Sequence, residues 1–484
     1  MDEIIKISLD KAIPERYSTS EKLYHLGGDM MLSPVFAPFI KNSPISVMAR
    51  GMLERVLNPD QLNKWFDTTA KEQYTKDLLF ATLFDLMSQV VQGSQRSIHA
   101  AFQASIQDIG VSITSVYNKL NGIEPGTSAA LVRYAAGQVE PIIGKLLGKQ
   151  NCPLPGKRIK LLDGNCIEKS HRRIKELRSI AAGPLPGKSL VVYDPLLHLP
   201  IDVFPCEDGH AQERSLLKTV LETTVANDVW IADRNFCVVE FTCGINKRDA
   251  WFIIREHGNY PFKLIGKEKY IGKIETGTVY EQPIVVADEA GNEHSFRRIR
   301  VKLKHETRDG DAEIFIITNL SKSAANAKIA ACLYRGRWTI ETAFQRLEQY
   351  LNSEINTLGY PRAALFGFCV ALVAYIIMSV VKAALCSVHG VDFIEQNVSG
   401  YYIANEIEGV YQGMMIVIGN EHWSVFRRMR PNELVKLLKK LADKVKLAKY
   451  QKHPRGPKKP QPKRIAMKNK PHVSTARILA ERKK

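Results

Sequence analysis

Residues 333–348 of this 484-residue chain read LYRGRWTIETAFQRLE, and the helix-favouring run 324–331 precedes them. Gly336 is the one helix breaker in this stretch. On a helix, residues three, four or seven apart share a face. The residues of this stretch that form such a stripe are Tyr334, Arg337, Glu341 and Glu348. A carboxylate beside an Arg stays ionised and suits a hard metal ion. For this stretch alone, a solvated face with an Arg–Glu ion pair is the simpler interpretation.

The charge of the chain indicates a polyanionic partner. It has 68 Lys or Arg against 50 Asp or Glu, a net charge of +18. Residues 451–484 contain twelve Lys or Arg and one Glu, so this tail supplies +11 and the rest about +7. Such an excess is typical of proteins that bind nucleic acid. The tail is too basic and Pro-rich to pack, so we predict that it is disordered and contacts DNA without sequence preference.

Cysteine usage and hydropathy indicate a soluble protein. None of the eight Cys forms a Cys-x2-Cys pair, which predicts reduced thiols in a cytosolic protein. The N-terminus lacks a signal-peptide layout. Ala363 to Val380 is an uncharged run just long enough for a membrane helix, but it is the one such run, so we expect a buried core helix. We therefore predict a cytoplasmic protein and no membrane contact.

The first 150 residues are predicted to be a helical DNA-binding region. Residues 1–45 show little pattern, and their prolines are expected to keep them irregular; from about 46 the pattern is helical. After Gly110, Ser112 is placed to cap a short helix that resembles the second half of a helix-turn-helix. Its outward residues would be Ser115, Asn118 and Lys119, which could enter a major groove. An ordinary helical hairpin fits the same pattern.

From residue 157 the pattern changes to strands. Five are predicted, near residues 158–167, 190–194, 201–204, 228–236 and 251–255, with helices at Gln212–Val225 and Val238–Lys247. The first three strands form an antiparallel meander. Residues 261–320 read as a β-rich insertion, and helix returns with Ser323–Leu351. The predicted regions are 1–150, the catalytic core 157–260, the insertion 261–320, the rest of the core 321–390, a C-terminal helical region 391–450 and the tail 451–484.

Two aspartates interrupt this strand pattern. Asp163 takes a position where the strand pattern favours an apolar side chain, and Asp233 ends another strand. Each alone is explained by a turn or a helix cap. Together with Glu341 they would repel one another strongly in a partly dry site, unless divalent cations neutralise them. Two Mg²⁺ held by three carboxylates suit in-line displacement at phosphorus, and hence phosphodiester chemistry on DNA or RNA.

Other acidic residues lie between the two aspartates in the sequence. They are Asp194, Glu207, Asp208 and Glu213. The loop around Glu213 could supply a metal ligand, but roles in the loop and in capping explain these residues without one.

Over roughly residues 75–475 the chain resembles the DDE transposases of bacterial insertion sequence family four. The motifs that carry this resemblance are Leu162-Asp163-Gly164, Ile231-Ala232-Asp233-Arg234-Asn235-Phe236 and Tyr334-Arg335-Gly336-Arg337-Trp338-Thr339-Ile340-Glu341. The family's third motif is Tyr-x2-Arg-x3-Glu-x6-Lys. The chain matches its first three positions, but Glu348 stands where the family has Lys. Either a nearby base such as Arg346 or Lys382 substitutes, or the transferred DNA end is bound differently.

The resemblance implies an α/β fold with an RNase H-like core, a mixed five-stranded sheet with helices, interrupted by the insertion. It implies Mg²⁺, with Mn²⁺ as a substitute, held by Asp163, Asp233 and Glu341. Tyr334, Arg337 and Arg234 would contact DNA. The reaction implied is cut-and-paste transposition through a DNA hairpin, by a homodimer that binds the terminal inverted repeats and target DNA.

The resemblance also implies that a flipped base stacks on an aromatic side chain during hairpin formation. The candidates in and around the insertion are Tyr270, Tyr280, Phe296, Trp251 and Trp338. The alternatives to a transposase are an RNase H-like nuclease that performs no strand transfer and a catalytically inactive, sequence-specific DNA-binding protein.

Overall fold

A mixed β-sheet runs through the molecule. The structure is a computed structural model, and it describes residues 24–25, 31–73, 75–148, 152–168, 170–171, 173–179, 182–307, 310–453 and 473–481. The strands are β1 Tyr24–His25, β2 Met31–Leu32, β3 Arg158–Cys166, β4 Pro184–Leu185, β5 Lys188–Asp194, β6 Leu199–Cys206, β7 Asp228–Ala232, β8 Trp251–Arg255, β9 Lys263–Leu264, β10 Lys269–Ile274, β11 Gly277–Ala287, β12 Glu293–Leu303, β13 Glu313–Thr318 and β14 Val473–Ser474. This confirms the expected α/β class.

Helices cover both faces of that sheet. They are α1 Ala37–Asn42, α2 Pro44–Leu57, α3 Pro59–Thr69, α4 Phe80–Val91, α5 Ile98–Ala104, α6 Ile113–Gly122, α7 Pro125–Leu147, α8 Leu217–Glu222, α9 Val239–Asn246, α10 Ala327–Arg335, α11 Trp338–Tyr350, α12 Pro361–His389, α13 Val391–Asn397, α14 Gly400–Val417, α15 Asn420–Arg428, α16 Pro431–Asp443 and α17 Thr475–Glu481. Short 3-10 turns join several of them.

The main sheet has ten strands in the described residues, where five were expected. Their order is β10-β11-β12-β13-β8-β7-β3-β5-β6, with β9 also paired to β11. Strands β3, β7 and β8 are parallel neighbours, and the other pairs are antiparallel, including the predicted meander β3-β5-β6. The five predicted core strands are neighbours in this sheet, in the order β8-β7-β3-β5-β6, and the insertion joins them because β13 pairs with β8. The insertion therefore extends the core sheet, and its strands shield what would otherwise be an open edge.

Alternation along the strands divides the core into two. Ile159 and Leu161 of β3 belong to the larger cluster, which also contains α7 and α12. Leu162 faces the opposite side, with Trp230 of β7 and the helices α8 and α9. Since side chains alternate along a strand, Asp163 follows the face of Leu161. Helix α11 contacts β3, and its Ile340 belongs to the same larger cluster. This packing brings the polar face of α11 to the end of β3.

The prolines near the N-terminus start helices, contrary to the expectation that they keep residues 1–45 irregular. Pro38 lies in the first turn of α1, and Pro44 is the first residue of α2. Proline is tolerated there because the first helical N–H groups have no partner within the helix and its φ already suits the helix. Residues 1–23 lie outside the described part of the chain.

Helix α12 is the long apolar run of the sequence. It is long and apolar enough to cross a membrane by length and composition, but 89% of its most apolar window is buried inside the structure. Its side chains pack against α7 and α16. This supports the interpretation as a core helix.

Part of the basic tail is folded. Residues 473–474 form β14, which pairs in parallel with β4, and α17 follows. Thr475 is fully buried, and Arg477 forms an ion pair with Asp208. The prediction of a disordered tail was therefore wrong for residues 473–481, where buried contacts outweigh the unfavourable composition. Residues 454–472 and 482–484 lie outside the described residues.

Candidate active site

Two of the predicted carboxylates meet at neighbouring strand ends. Strands β3 and β7 are parallel, and Leu162 is in register with Ala232. Asp163 and Asp233 each follow this pair directly, so their backbones are adjacent at one end of the sheet. The main-chain N–H of Gly164 donates to Asp163 Oδ1 at 2.9 Å, which fixes the orientation of that carboxyl group.

The helix expected at Ser323–Leu351 is divided in two. It ends at Arg335 and restarts at Trp338. Across the break the main-chain N–H of Arg337 donates to the carbonyl of Tyr334 at 3.0 Å, an i to i+3 bond that tightens the turn. Gly336, a weak helix former, lies inside this turn. The helical face that carries Tyr334, Arg337 and Glu341 is therefore bent. As a result, Tyr334 and Arg337 contact different carboxylates.

The guanidinium of Arg337 joins two carboxylates. Its Nη1 donates to Asp163 Oδ2 at 2.9 Å, and its Nη2 donates to Glu341 Oε1 at 2.7 Å. Tyr334 reaches the third: its hydroxyl donates to Asp233 Oδ1 at 3.4 Å. Arg337 and Tyr334 are 5% and 6% exposed, so these charges interact in a poorly solvated place. The structure thus brings all five motif residues together.

Burial disfavours the charged form of Asp163. The pKa of this carboxyl group is raised to about 6, chiefly by burial and also by the Glu341 and Asp233 carboxylates, against the lowering effect of Arg337. Burial, followed by Asp233, raises the pKa of Tyr334 to about 12. The Tyr334 hydroxyl therefore keeps its proton and acts as a donor. Two carboxylates share the Arg337 guanidinium and the third is bonded to a neutral hydroxyl, so the acids of this cluster outnumber the cation bonded to them.

The three carboxylates offer the oxygen ligands that a hard divalent cation prefers, but they are spaced too widely to hold one as they stand. In the parts of the chain that the structure describes, no three His, Cys, Asp or Glu side chains stand close enough together to hold a metal ion. The Arg337 guanidinium, whose Nε is buried without a hydrogen-bond partner, stands between Asp163 and Glu341. Metal binding by all three carboxylates would require Arg337 to release at least one of them.

Glu213 is a site residue that sequence reasoning assigned to a loop. Its Oε2 accepts from Asn235 Nδ2 at 2.6 Å, while Arg214 Nε donates to the Asn235 carbonyl at 2.7 Å. These two contacts hold the turn that follows Asp233. A Cβ at position 164 would lie 2.1 Å from Glu213 Oε1, so Gly164 is needed for this close approach. Because the contacts are long-range, no local pattern could have identified them.

The residues predicted to bind DNA are spread over two places. Arg234 is exposed beside the carboxylates. Ser112 caps α6 as predicted, accepting from the Ser115 N–H at 3.2 Å. Ser115 and Asn118 are exposed on α6, but Lys119 is half-buried, with its ammonium 5.5 Å from the Phe66 ring centre. That face of α6 adjoins Glu72 and Asp77 as well as Lys76, a surface of mixed charge.

The two bases expected to substitute for the family Lys at position 348 are engaged elsewhere. Arg346 and Lys382 both pair with Glu395, in a cavity between α11, α12 and α13. Glu348 itself is exposed, and its charge contributes to raising the pKa of Glu354, for which burial is the larger cause.

The aromatic candidates differ in how accessible they are. Phe296 is buried, while Arg300 lies over the Tyr280 ring and Lys157 over the Trp251 ring. Tyr270 and Trp338 are about three-fifths exposed. These two are therefore the members of the set that could stack on a base without prior rearrangement.

Comparison with known proteins agrees with this geometry. Residues 184–377 match the family model described as "Transposase DDE domain". The matched segment contains Asp233 and Glu341 and begins after Asp163. A protein of Sinorhizobium fredii (strain NBRC 101917 / NGR234) named "Putative transposase y4zB" is 27% identical over 199 residues, which are 40% of this chain and 52% of that protein. The chain thus spans about half the length of this curated relative. The resemblance to DDE transposases is thereby confirmed at the level of the domain.

Proposed function

We propose that the chain is a DNA transposase that cleaves the ends of an insertion sequence and joins them to target DNA. The observation that carries the proposal is the set of three carboxylates around Arg337, built from two parallel strand ends and one helix. The similarity of residues 184–377 to a transposase DDE domain supports it. The insertion sequence family, the hairpin intermediate and strand transfer are part of this proposal.

Asp163, Asp233 and Glu341 would hold Mg²⁺, or Mn²⁺ in its place. When bound, the ions supply positive charge at the phosphate and polarise the attacking water or 3′-hydroxyl. Release of Arg337 from Asp163 or Glu341 frees carboxylate oxygens as ligands and leaves a guanidinium to pair with a DNA phosphate. Tyr334 keeps Asp233 in place through its hydroxyl. Glu213 and Arg214 fix the turn after Asp233.

The proposed partners are the terminal inverted repeats of the element and its target DNA. A homodimer is proposed because two ends must be brought together. Exposed Trp338 lies beside the carboxylates, with the Arg337 guanidinium 5.2 Å from its ring centre, and is our candidate for stacking a flipped base. Action in the bacterial cytoplasm, on the nucleoid, follows from this function.

A cleavage assay tests the proposal. Wild type and Asp163→Ala are incubated with Mg²⁺ and a duplex that carries the end of the element encoding the chain. We expect a nick and then a hairpin from wild type only. Nicks that are never joined to a second DNA would indicate a nuclease. Binding without cleavage, in Mg²⁺ or Mn²⁺, would indicate a DNA-binding protein and overturn the proposal.

A further inference from the structure

A basic segment follows the strand that carries Asp163. Its described cations are Arg173, Lys175 and Arg178, all exposed. The segment is fixed in place, because Ile174 and Leu177 are buried and the main-chain N–H of His171 donates to the Asn356 carbonyl at 2.7 Å. These anchors tie it to the connection between α11 and α12, immediately beyond the helix that carries Glu341.

The three cations have no acidic partner in the part of the chain that the structure describes. Within the described residues, none of them forms an ion pair with a carboxylate, whereas Arg255, Arg297, Arg298 and Arg300 in the extended sheet are all paired. Arg178 makes one neutral contact, from its Nη2 to the Arg173 carbonyl at 3.4 Å. An unpaired cluster on a rigid support attracts anions without first breaking an ion pair.

The cations form one wall of a groove whose other wall is α6. We call it the basic groove and define it by Arg173, Lys175, Arg178, Tyr117, Asn121 and Tyr360. Among the described residues that line it, Glu176 is the one acid. Tyr117 and Asn121 are four residues apart and share a face of α6. Their phenol and amide groups can donate hydrogen bonds to phosphate oxygens.

The C-terminal segment braces the same region. Strand β14 pairs with β4, and α17 contacts the 3-10 helix Lys175–Leu177. The groove is thus held by α6, by the start of α12 and by a segment from the far end of the chain. This gives it a preformed shape, which lowers the entropic cost of binding.

We propose that the basic groove binds the phosphate backbone of the duplex whose end lies at the carboxylates. This rests on the proposed function. Ten residues separate Asp163 from Arg173, and an extended chain of that length spans at most about 36 Å. A duplex advances 3.4 Å per base pair. The Arg173 end of the groove therefore contacts phosphates within about ten base pairs of the bond that is cleaved. Because Tyr117 and Asn121 line the groove, their face of α6 is the one that would contact the DNA backbone. The sequence had predicted the face of Ser115 and Lys119 instead.

Fluorescence anisotropy with the labelled element-end duplex, over a series of KCl concentrations, tests the proposal. The variant is Arg173→Gln/Lys175→Gln/Arg178→Gln. Its matched control, Lys41→Gln/Lys436→Gln/Lys444→Gln, removes the same charge from exposed positions on other helices. Each lost phosphate contact lowers the slope of log affinity against log salt by about 0.9, so a reduction of about 2.7 is expected from the groove variant alone. Thermal unfolding should be unchanged in both, since the substituted side chains are exposed.

Each outcome has a distinct meaning. Equal slopes for wild type and groove variant, or an equal reduction in the control, would overturn the groove while leaving the proposed function intact. Failure of wild type to bind the duplex would count against the proposed function itself. Phosphate-ethylation interference gives a second readout. The groove proposal would also be overturned if ethylation interfered with binding only at phosphates more than about ten base pairs from the cleaved bond.

Discussion

The two halves of the central sheet differ in how their charged side chains are paired. In the extension formed by β9–β13, buried and half-buried arginines are matched by acids, as in the pair of Arg297 and Glu281. At the ends of β3 and β7, Asp163 and Glu341 share the guanidinium of Arg337, and Asp233 accepts a hydrogen bond from the neutral Tyr334 hydroxyl. A buried ion pair adds little net stability to a fold, whereas buried carboxylates without matching cations are candidates for a functional site. From this difference we infer that the extension is structural and that the strand ends form the site.

The largest effect should come from removing the unbalanced carboxylates. Asp233→Ala and Glu341→Ala should each lower the single-turnover cleavage rate by on the order of a thousandfold or more, because each removes a proposed ligand of the cations that would stabilise the negative charge developing at the phosphate. Quenched-flow assays with element-end DNA measure this.

The matched control for that series is Glu275→Gln. Glu275 is an exposed acid paired with Arg335 in the extension, so its loss should leave cleavage unchanged. A comparable loss of cleavage rate in this control would mean that the different pairing of charges in the two halves of the sheet is unrelated to catalysis.

The next effect is on stability in the extension. Arg297→Ala should destabilise the fold by about 3–5 kcal/mol, because buried Glu281 loses its buried partner and keeps only exposed Lys322, and the carbonyls of Leu320 and Ala325 lose a donor. Urea unfolding measures it. Replacing both partners, as Arg297→Met/Glu281→Leu, should recover most of the loss. If it does not, the pair contributes more than charge balance.

The pH dependence of this pair has a definite sign. Burial raises the pKa of Glu281, but its bonds to Arg297 and Lys322 lower it more, so the folded-state pKa lies below the usual value of 4.5. A lowered pKa gives stability that is fully present above about 4.5 and lost as the pH falls through the folded-state value. The stability of wild type should therefore decline in acid more steeply than that of the double variant, as measured by urea unfolding at several pH values.

The smallest effect concerns Glu348, the departure from the family motif. Since Arg346 and Lys382 are both engaged with Glu395, Glu348→Lys should add one phosphate contact that the chain now lacks. Binding to element-end DNA should tighten, and the salt slope should steepen by about 1. An unchanged slope would show that this position does not face the DNA.

The sequence was sufficient where the signal was local. Runs of apolar residues predicted β3, β5, β6, β7 and β8, and Asp163 stood out because it interrupts one of them. Ser112 was predicted to be a helix cap from its neighbours. It failed where contacts are distant. The pairing of β13 with β8 joined the insertion to the core, and buried contacts folded residues 473–481 against β4.

The site shows the same division. Helical spacing put Arg337 beside Glu341, and the 2.7 Å bond between them follows from it. The second bond, to Asp163, depends on how the tightened turn at Gly336 aims the guanidinium across the sheet. Glu213 reaches Asn235 from a separate 3-10 turn. Neither contact has a local sequence signal, because each joins segments that only the tertiary fold brings together.

Direct measurement of Mn²⁺ binding tests the central claim that the unbalanced carboxylates form a cation site. Isothermal titration calorimetry would compare wild type with Asp163→Asn, Asp233→Asn and Glu341→Gln, with Glu275→Gln as control. We predict that wild type and control bind equally and that each of the three site variants binds at least about tenfold more weakly, the smallest loss expected even for a residue that only supports a metal ligand. Equal Mn²⁺ affinity in all five proteins would contradict the account.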